Sequence, residues 1–307
     1  MDDALIALEN MLDNTKVSDE VRNEIIGTAY KVRDSFIYYL DKVPIESLNL
    51  KSAVNHLAGR GKFVRGVFTY LFSKSLGIGE EEATILAVAT ELYHLASLIH
   101  DDIIDSANFR RGVETVHRKF GVEYAIIAGD LLIVYGNYLL STLGCDVIKI
   151  YAFQGVKLSD GEAIELDMGV VRDIDKYYKL VDLKTGSVFK AMLESSVVLS
   201  GLDRLKGYAI ELGREIGYAF QMSDDVLDVV GQPIFTGKGV GMDVDGPNIV
   251  NIFLMEGYPL NVAIDKTREL IRSHIDRALD ILSKFDLDKN YMDVLSGLIS
   301  SLEVRKS

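Results

Sequence analysis

Two aspartate clusters with the same spacing, Asp-Asp-x-x-Asp, each follow a strongly apolar run of the chain. The first cluster contains Asp101, Asp102 and Asp105, and the second contains Asp224, Asp225 and Asp228. On a helix, residues four apart share a face, so the first and last carboxylates of each motif project together. Such oxygen ligands suit Mg²⁺, which binds one or two carboxylates and completes its shell with substrate phosphates. One motif alone is as often a solvated acidic helix end, but two copies favour metal binding.

Basic side chains stand near these acids, although the chain as a whole is acidic. They are Lys62, Arg65, Arg110, Arg111, Lys184 and Lys238. Taken singly, each is typical of a solvated surface charge. Together with metal-bridging carboxylates, they are what binding and ionising a diphosphate requires. The segment around Lys62 is not a P-loop, because Phe63 follows the lysine where serine or threonine is needed.

Long helices are predicted to position these residues. The chain has 307 residues, of which 48% are hydrophobic, and it contains only four prolines. Apolar residues recur at helical spacing, as from Ile264 to Leu282, and alternating strand patterns are scarce. Because no linker-like stretch divides the sequence, we predict one all-α domain spanning residues 1–307.

Charge and cysteine content narrow the class of protein. Lys and Arg number 33 against 46 Asp and Glu, a net charge of −13 that disfavours binding to nucleic acid. Cys145 is the only cysteine, and a lone buried thiol is expected in a reducing cytosol. The start of the chain lacks the pattern of a secretory signal. The apolar stretch from Tyr124 to Leu140 is interpreted as a core helix, too short and mixed to span a bilayer. We therefore expect a cytoplasmic protein without a transmembrane segment.

An ordered series of motifs runs from about Gly59 to Asn248. In chain order the main ones are Gly61-Lys62-x-x-Arg65, Glu91-Leu92-x-His94, Asp101-Asp102-x-x-Asp105, Arg110-Arg111-Gly112, Gly161-Glu162, Lys184-Thr185-Gly186, Phe220-Gln221-x-x-Asp224-Asp225-x-x-Asp228 and Gly237-Lys238. The series resembles the trans-type isoprenyl diphosphate synthases, the farnesyl and geranylgeranyl diphosphate synthase family. The resemblance implies an all-α bundle around a deep central cavity, and a homodimer.

The resemblance also implies roles for individual residues. Lys62, Arg65, His94 and Arg111 would hold the diphosphate of isopentenyl diphosphate. Arg110, Lys184 and Lys238 would hold an allylic diphosphate. Asp101, Asp105 and Asp224 would be direct ligands of a cluster of three Mg²⁺ ions, with Asp102, Asp225 and Asp228 in the same metal-binding motifs. Thr185 and Gln221 would lie beside the reacting carbons and stabilise positive charge.

The implied reaction is a head-to-tail condensation. Ionisation of the allylic diphosphate gives a cation, the double bond of isopentenyl diphosphate attacks it, and a proton is then lost. Loss of that proton to the departing diphosphate would explain why the sequence shows no dedicated general base.

Three positions depart from the family pattern. Phe63 stands where an arginine is common, and Gly66 where a proline is common. Pro247-Asn248 replaces a second Gly-Lys, so one cation is missing from the closing loop. We therefore expect a loop that closes less tightly, and Asn248→Lys should lower KM for the allylic substrate.

Product length is predicted from the helix before Asp101. Ala96 and Ser97 are small and lie five and four residues upstream, so they leave room for a growing tail. Tyr93 lies about 4.5 Å deeper than Ala96 along the helix and is interpreted as part of the cavity floor, although ordinary core packing is the alternative. The predicted product is geranylgeranyl diphosphate or one unit longer. Ala96→Phe should shorten the product, and Tyr93→Ala should lengthen it.

Two other functions stay open. A class I terpene cyclase also ionises allylic diphosphates, but it usually alters the second aspartate motif and needs no site for isopentenyl diphosphate. A non-catalytic subunit of a two-component synthase usually loses an aspartate cluster. Both clusters are intact in this chain.

Overall fold

The computed structural model describes residues 8–9, 12, 17–169, 171–230 and 247–304. Within these residues the chain is almost entirely helical, so the predicted all-α class is confirmed. The α-helices are α1 (Asp19–Asp41), α2 (Leu48–Asn55), α3 (Val64–Ser75), α4 (Glu80–Ile104), α5 (Val116–Phe120), α6 (Val122–Ser141), α7 (Cys145–Met168), α8 (Ile174–Leu183), α9 (Thr185–Leu199), α10 (Lys206–Val230), α11 (Ile249–Met255), α12 (Leu260–Leu282) and α13 (Lys289–Ser300). Short 3₁₀ helices span Asp203–Leu205 and Ser301–Val304, and a hairpin pairs β1 (Phe109–Arg110) with β2 (Val113–Glu114).

The described residues cluster into two compact units, with one boundary between Ile148 and Lys149. The prediction of a single domain over residues 1–307 stays a prediction. In the first unit, α4 packs against α6, α3 and α1. Apolar residues of α4 such as Leu86 and Ile99 are fully buried, so this helix is the centre of the unit.

In the second unit, α10 packs against α9 and α12. Helices α9 and α10 approach closely because two glycines of α10 lie directly against the backbone of α9. A Cβ at Gly217 would lie 2.8 Å from the Cα of Gly186, and a Cβ at Gly213 would lie 2.7 Å from the backbone nitrogen of Lys190. This contact fixes the register of the two helices one turn before Gln221.

Helices α4 and α6 are long and apolar enough to cross a membrane, which by length and composition alone is weak evidence. Of the apolar stretches concerned, 67% is buried within the chain for α4 and 39% for α6. The prediction that the stretch from Tyr124 to Leu140 is too short and mixed to span a bilayer is therefore not supported by the length and hydropathy of α6. Only one face of this helix belongs to the core.

The prediction of a buried Cys145 is wrong, because this thiol is exposed at the start of α7.

Candidate active site

The first aspartate motif occupies the last turn of α4 and the residue that follows it. Asp101 is partly exposed, Asp102 is fully buried, and Asp105 is exposed as the C-cap residue. The Nε of Arg110 donates to Oδ1 of Asp102 at 2.5 Å. Burial raises the pKa of Asp102, and the hydrogen bond from Arg110 opposes that shift. The hairpin β1–β2 thus folds back onto the motif through Arg110.

The second motif lies in the last turns of α10 and repeats this pattern of exposure. Asp224 is partly exposed, Asp225 is 2% exposed, and Asp228 is exposed. Burial raises the pKa of Asp225 to about 7, although three hydrogen bonds oppose the shift. In both motifs the first and last carboxylates share a face, as helical spacing predicted; this face is turned outward, and the middle carboxylate faces the protein.

Asp225 is the centre of a hydrogen-bond network. Its Oδ2 accepts from the Tyr177 hydroxyl at 2.7 Å and from the backbone N–H of Ile249 at 2.9 Å. Its Oδ1 accepts from the side-chain amide of Gln221 at 3.0 Å. Because both carboxylate oxygens accept hydrogen bonds from the protein, this geometry favours a supporting role for Asp225 over the predicted role as metal ligand.

The outward-facing aspartates form a donor set of the kind that suits Mg²⁺. Among the described residues, no three His, Cys, Asp or Glu side chains are arranged as a complete metal site. Each motif instead offers two carboxylates on one face, and Mg²⁺ characteristically binds such a pair together with substrate phosphates. Oδ2 of Asp102 is buried and accepts no hydrogen bond from the described groups, whereas Oδ1 is held by Arg110.

Thr185 and Gln221 are brought together by the packing of α9 on α10. The Thr185 hydroxyl donates to Oε1 of Gln221 at 2.8 Å, and the amide nitrogen of Gln221 donates to Asp225. The contact between Gly217 and Gly186 makes this possible, because each glycine lies on the same helix as one partner. Gln221 is therefore held in one orientation, with its amide dipole fixed at both ends.

Lys184 joins α8 to α9 and lies between two glutamates of α7. Its Nζ is 2.9 Å from Glu162 and forms a second ion pair with Glu165. Burial lowers the pKa of Lys184, but the two carboxylates outweigh it and the net pKa is raised. Sequence reasoning missed Glu165, although it lies three residues after Glu162 on the same helix face, which was a usable signal.

The predicted cations of the first unit surround His94. The Nη1 of Arg65 lies 3.2 Å from Nε2 of His94. Burial lowers the pKa of His94 well below 6.5, and Arg65, Arg111 and Arg110 lower it further. The ring is therefore neutral and can accept a hydrogen bond from Arg65. Lys62 lies on the same segment, two residues before α3.

Arg111 is placed by a strained turn. Arg111 and Gly112 have φ of 51° and 76°, as the two-residue turn of the hairpin requires. A Cβ at Gly61 would lie 2.9 Å from Nη2 of Arg111, so the guanidinium rests directly against the backbone at Gly61. Phe63 and Ser106 are the other non-glycine residues with positive φ among those described. All three lie beside predicted site residues, where such strain is commonly found.

Glu91 is a buried carboxylate that the sequence argument quoted only as part of a motif. Its Oε1 accepts from the backbone N–H of Gly66 at 2.7 Å, in the first turn of α3. Burial raises its pKa, while this hydrogen bond and the nearby Arg65 and Arg111 lower it. Glu91 thus anchors the start of α3 and the arginines that flank it.

Phe63 replaces the family's arginine with an apolar contact. Its ring is 5% exposed and meets the ring of Phe36 edge to face, with 5.6 Å between centroids. A small pocket with a volume of about 10 Å³, roughly the space of one water molecule, lies here. It is lined by Phe36, Leu57, Gly59, Phe63, Glu91, His94, Leu95 and Arg111. Arg111 and the neutral His94 therefore border an apolar wall formed by Phe36, Leu57 and Phe63.

The predicted chain-length residues differ in exposure. Tyr93 and Ser97 are partly exposed on one face of α4, whereas Ala96 is fully buried. A phenylalanine at Ala96 would therefore overpack the core, and the prediction that it simply blocks the cavity is revised.

Of the closing loop, the structure describes Pro247 and Asn248. Lys238 lies outside the described residues. Asn248 is the N-cap of α11, where its Oδ1 accepts from the N–H groups of Val250 and Asn251 at 2.9 and 3.3 Å. Its Nδ2 donates to the backbone oxygen of Asp225 at 3.0 Å. The residue that replaces the expected lysine is thus a helix cap, and both of its polar ends are already engaged.

Known proteins provide an independent comparison. A family model described as polyprenyl synthetase matches residues 48–273. The chain is 31% identical over 315 residues to a geranylfarnesyl diphosphate synthase of Aeropyrum pernix, covering 87% of this chain and 98% of that protein. It is 30% identical to a short chain isoprenyl diphosphate synthase of Methanocaldococcus jannaschii, covering 90% and 83%. The solved geranylgeranyl pyrophosphate synthetase of Geoglobus acetivorans is 27% identical, with a TM-score of 0.80 and coverage of 91% and 98%.

The helical fold, the paired aspartates and these matches define an enzyme class, the prenyltransferases of isoprenoid biosynthesis. Within that class the chain belongs to the polyprenyl synthetase family. The resemblance drawn from the sequence motifs is thereby confirmed.

Proposed function

We propose that this enzyme condenses isopentenyl diphosphate head to tail with an allylic diphosphate in a Mg²⁺-dependent reaction. The observation that carries the proposal is the repeated geometry of the two aspartate motifs. In each, the outer carboxylates face outward and the middle one is buried among protein partners. Basic residues accompany both motifs, as a diphosphate substrate requires.

The outward aspartates Asp101, Asp105, Asp224 and Asp228 would hold the metal ions. Bound Mg²⁺ supplies positive charge that stabilises the leaving diphosphate. In the first unit, Arg65 and Arg111 provide fixed guanidinium donors for the diphosphate of isopentenyl diphosphate, with Lys62 as a further cation. Neutral His94 orients Arg65 without adding charge of its own.

Lys184 and Arg110 would bind the allylic diphosphate. Each is held by carboxylates, Lys184 by Glu162 and Glu165 and Arg110 by Asp102. These ion pairs keep both side chains in place before substrate arrives, so less conformational entropy is lost on binding.

Thr185 and Gln221 would stabilise the carbocation that ionisation leaves. Oε1 of Gln221 carries partial negative charge, and its orientation is fixed by Thr185 and Asp225. A preorganised dipole costs no reorganisation when charge develops. Among the groups described at the site, none is arranged as a dedicated base, and the departing diphosphate would accept the proton.

For the product we propose geranylgeranyl diphosphate or one isoprene unit longer. Tyr93 and Ser97 share a face of α4 with Asp101 at intervals of four residues. A tail growing along this face meets a small side chain first and an aromatic ring about 6 Å further on. The names of two relatives, a geranylgeranyl and a geranylfarnesyl synthase, fall in this range.

We further propose that the enzyme is a cytoplasmic homodimer. Helix α6 presents an exposed stripe at four-residue spacing, formed by Val122, Ile126, Asp130, Val134 and Tyr138, which is apolar except for Asp130. A second copy of the chain would bury such a stripe. The acidic character of the chain also supports an enzyme that does not bind nucleic acid.

The decisive experiment is incubation of the purified enzyme with labelled isopentenyl diphosphate, Mg²⁺ and each allylic primer in turn, followed by product sizing. We expect elongated diphosphates, and no turnover when Mg²⁺ is removed by a chelator. A cyclic hydrocarbon formed without isopentenyl diphosphate would instead indicate a terpene cyclase. No product from any primer would indicate a non-catalytic subunit.

A further inference from the structure

Helix α6 holds Tyr93 from the side, through two adjacent residues that the sequence argument did not use. The Tyr93 hydroxyl donates to Oδ1 of Asn137 at 2.5 Å. A Cβ at Gly136 would lie 2.9 Å from Cε2 of the Tyr93 ring. The ring therefore occupies the space that any larger residue at position 136 would fill.

The same helix pair repeats this arrangement two turns away. A Cβ at Gly129 would lie 2.1 Å from Nε2 of His100, the residue before Asp101. Tyr93 and His100 are seven residues apart on α4, and Gly129 and Gly136 are seven apart on α6. Because seven residues are close to two helical turns, both contacts lie along one seam. The lateral position of the Tyr93 ring on α4 is thus set by the packing of α4 on α6.

The contact at Tyr93 includes a hydrogen bond as well as packing against Gly136. Burial raises the pKa of Tyr93 to about 12, so its hydroxyl keeps its proton and donates. Moving the ring aside would leave this hydroxyl and the Asn137 carbonyl without their partner in a half-buried place. The ring consequently resists displacement.

We propose that Gly136 and Asn137 are specificity-determining residues that hold Tyr93 at the end of the product path and so fix product length. This inference rests on the proposed synthase function and deepens it. Tyr93 lies eight residues below Asp101, which is about 12 Å of helix rise. A tail that reaches the ring must break the contact with Asn137 to grow further.

The test measures product length at saturating isopentenyl diphosphate with one fixed primer. Tyr93→Phe removes only the hydroxyl, and Asn137→Leu removes the acceptor at similar volume. Each should raise the ratio of longer product to main product about threefold to tenfold, the range that one net hydrogen bond supplies. Asn137→Asp keeps an acceptor and should retain the wild-type product. Gly136→Ala pushes the ring off α6 and should shorten the product.

Combined variants and a matched control separate the possible outcomes. The double variant Tyr93→Phe with Asn137→Leu should behave like either single variant, because both remove the same contact. Tyr124→Phe, which removes another hydroxyl from α6, should leave the product unchanged. Wild-type product that is unaltered in Tyr93→Phe and Asn137→Leu would overturn this inference alone. Absence of any elongated product from the wild type would overturn the proposed function, and the inference with it.

Discussion

At the scale of single residues, the middle and outer aspartates of each motif lie in different environments. The middle aspartates are buried, and the outer ones face outward. Three like charges within one helical turn repel one another. Turning Asp102 toward Arg110, and Asp225 toward Tyr177 and Gln221, relieves part of that repulsion. The outer pair keeps the charge that a divalent ion would neutralise.

Substitution should separate these roles in the second motif. Asp224→Asn is expected to abolish turnover with little change in melting temperature, and Asp101→Asn should do the same in the first motif. Asp225→Ala leaves the Tyr177 hydroxyl and the Ile249 N–H unpaired, at a cost of about 1–3 kcal/mol each. Its melting temperature should therefore fall by several degrees. Thermal unfolding and kcat at saturating Mg²⁺ measure both effects, and exposed Asp276→Ala is the control. Near-normal kcat in Asp224→Asn would contradict the metal assignment.

His94 should make stability depend on pH. Its pKa is lowered in the folded protein, so the unfolded chain binds more protons as the pH falls through about 6.5. Stability from this residue is therefore present above that pH and is lost below it. We expect the melting temperature to fall between about pH 7.5 and pH 5.5, and to fall less in His94→Gln. His56→Gln is the control, and equal slopes in the wild type and His94→Gln would argue against a neutral His94.

At the scale of helices, two departures from the family pattern meet one face of α1. Phe63 packs on Phe36, and a Cβ at Gly66 would lie 2.7 Å from Cγ1 of Val32. Val32 and Phe36 are four residues apart on α1 and share a face. The start of α3 is thus seated on α1 by packing, and on α4 by the hydrogen bond from Gly66 to Glu91.

Gly66→Pro tests how much these contacts stabilise the start of α3, and it introduces the residue that is usual in the family. Proline removes the N–H that Glu91 accepts and adds a ring where a Cβ alone would be too close. The lost buried hydrogen bond and the overpacking should each cost about 1–3 kcal/mol in the free energy of unfolding. Gly66→Ala keeps the N–H, so denaturant unfolding of both variants isolates the hydrogen bond. Equal stability of the two variants would show that Glu91 contributes nothing there.

Asn248 caps the start of α11, and this role changes the expected effect of Asn248→Lys. A lysine at this position cannot cap α11, so Asn248→Lys should cost about 1 kcal/mol and should not lower KM for the allylic substrate. Asn248→Asp keeps the cap and is the matched control. Chemical denaturation and initial rates provide the measurements. A lower KM without loss of stability would restore the earlier expectation from sequence.

At the scale of the whole molecule, the exposed stripe of α6 matters most. Val134 is 65% exposed and Tyr138 is 64% exposed on a helix whose other face is packed against α4. Val134→Glu should therefore shift the protein from dimer to monomer in analytical ultracentrifugation. Leu48→Glu, which changes another exposed apolar residue on α2, should not. A wild type that sediments as a monomer would contradict the dimer proposal.

The sequence by itself determined the helices, the shared face of the first and last carboxylates in each motif, and the family. These properties are local, since helical periodicity and four-residue spacing depend on neighbours along the chain. Burial was predicted less well. Exposed Cys145 and the exposed face of α6 went unforeseen, because apolar composition does not say which face of a helix meets another helix.

Only the tertiary structure decided the partners of the site residues. Tyr177 reaches Asp225 across 48 residues of sequence, and Tyr93 reaches Asn137 across 44. Such pairs depend on which helices pack together and on how closely glycines let them approach. That register is fixed by side-chain volumes on two distant segments at once, so no local pattern contains it. The sequence therefore specified which groups act, and the packing of helices specified which of them are held in place.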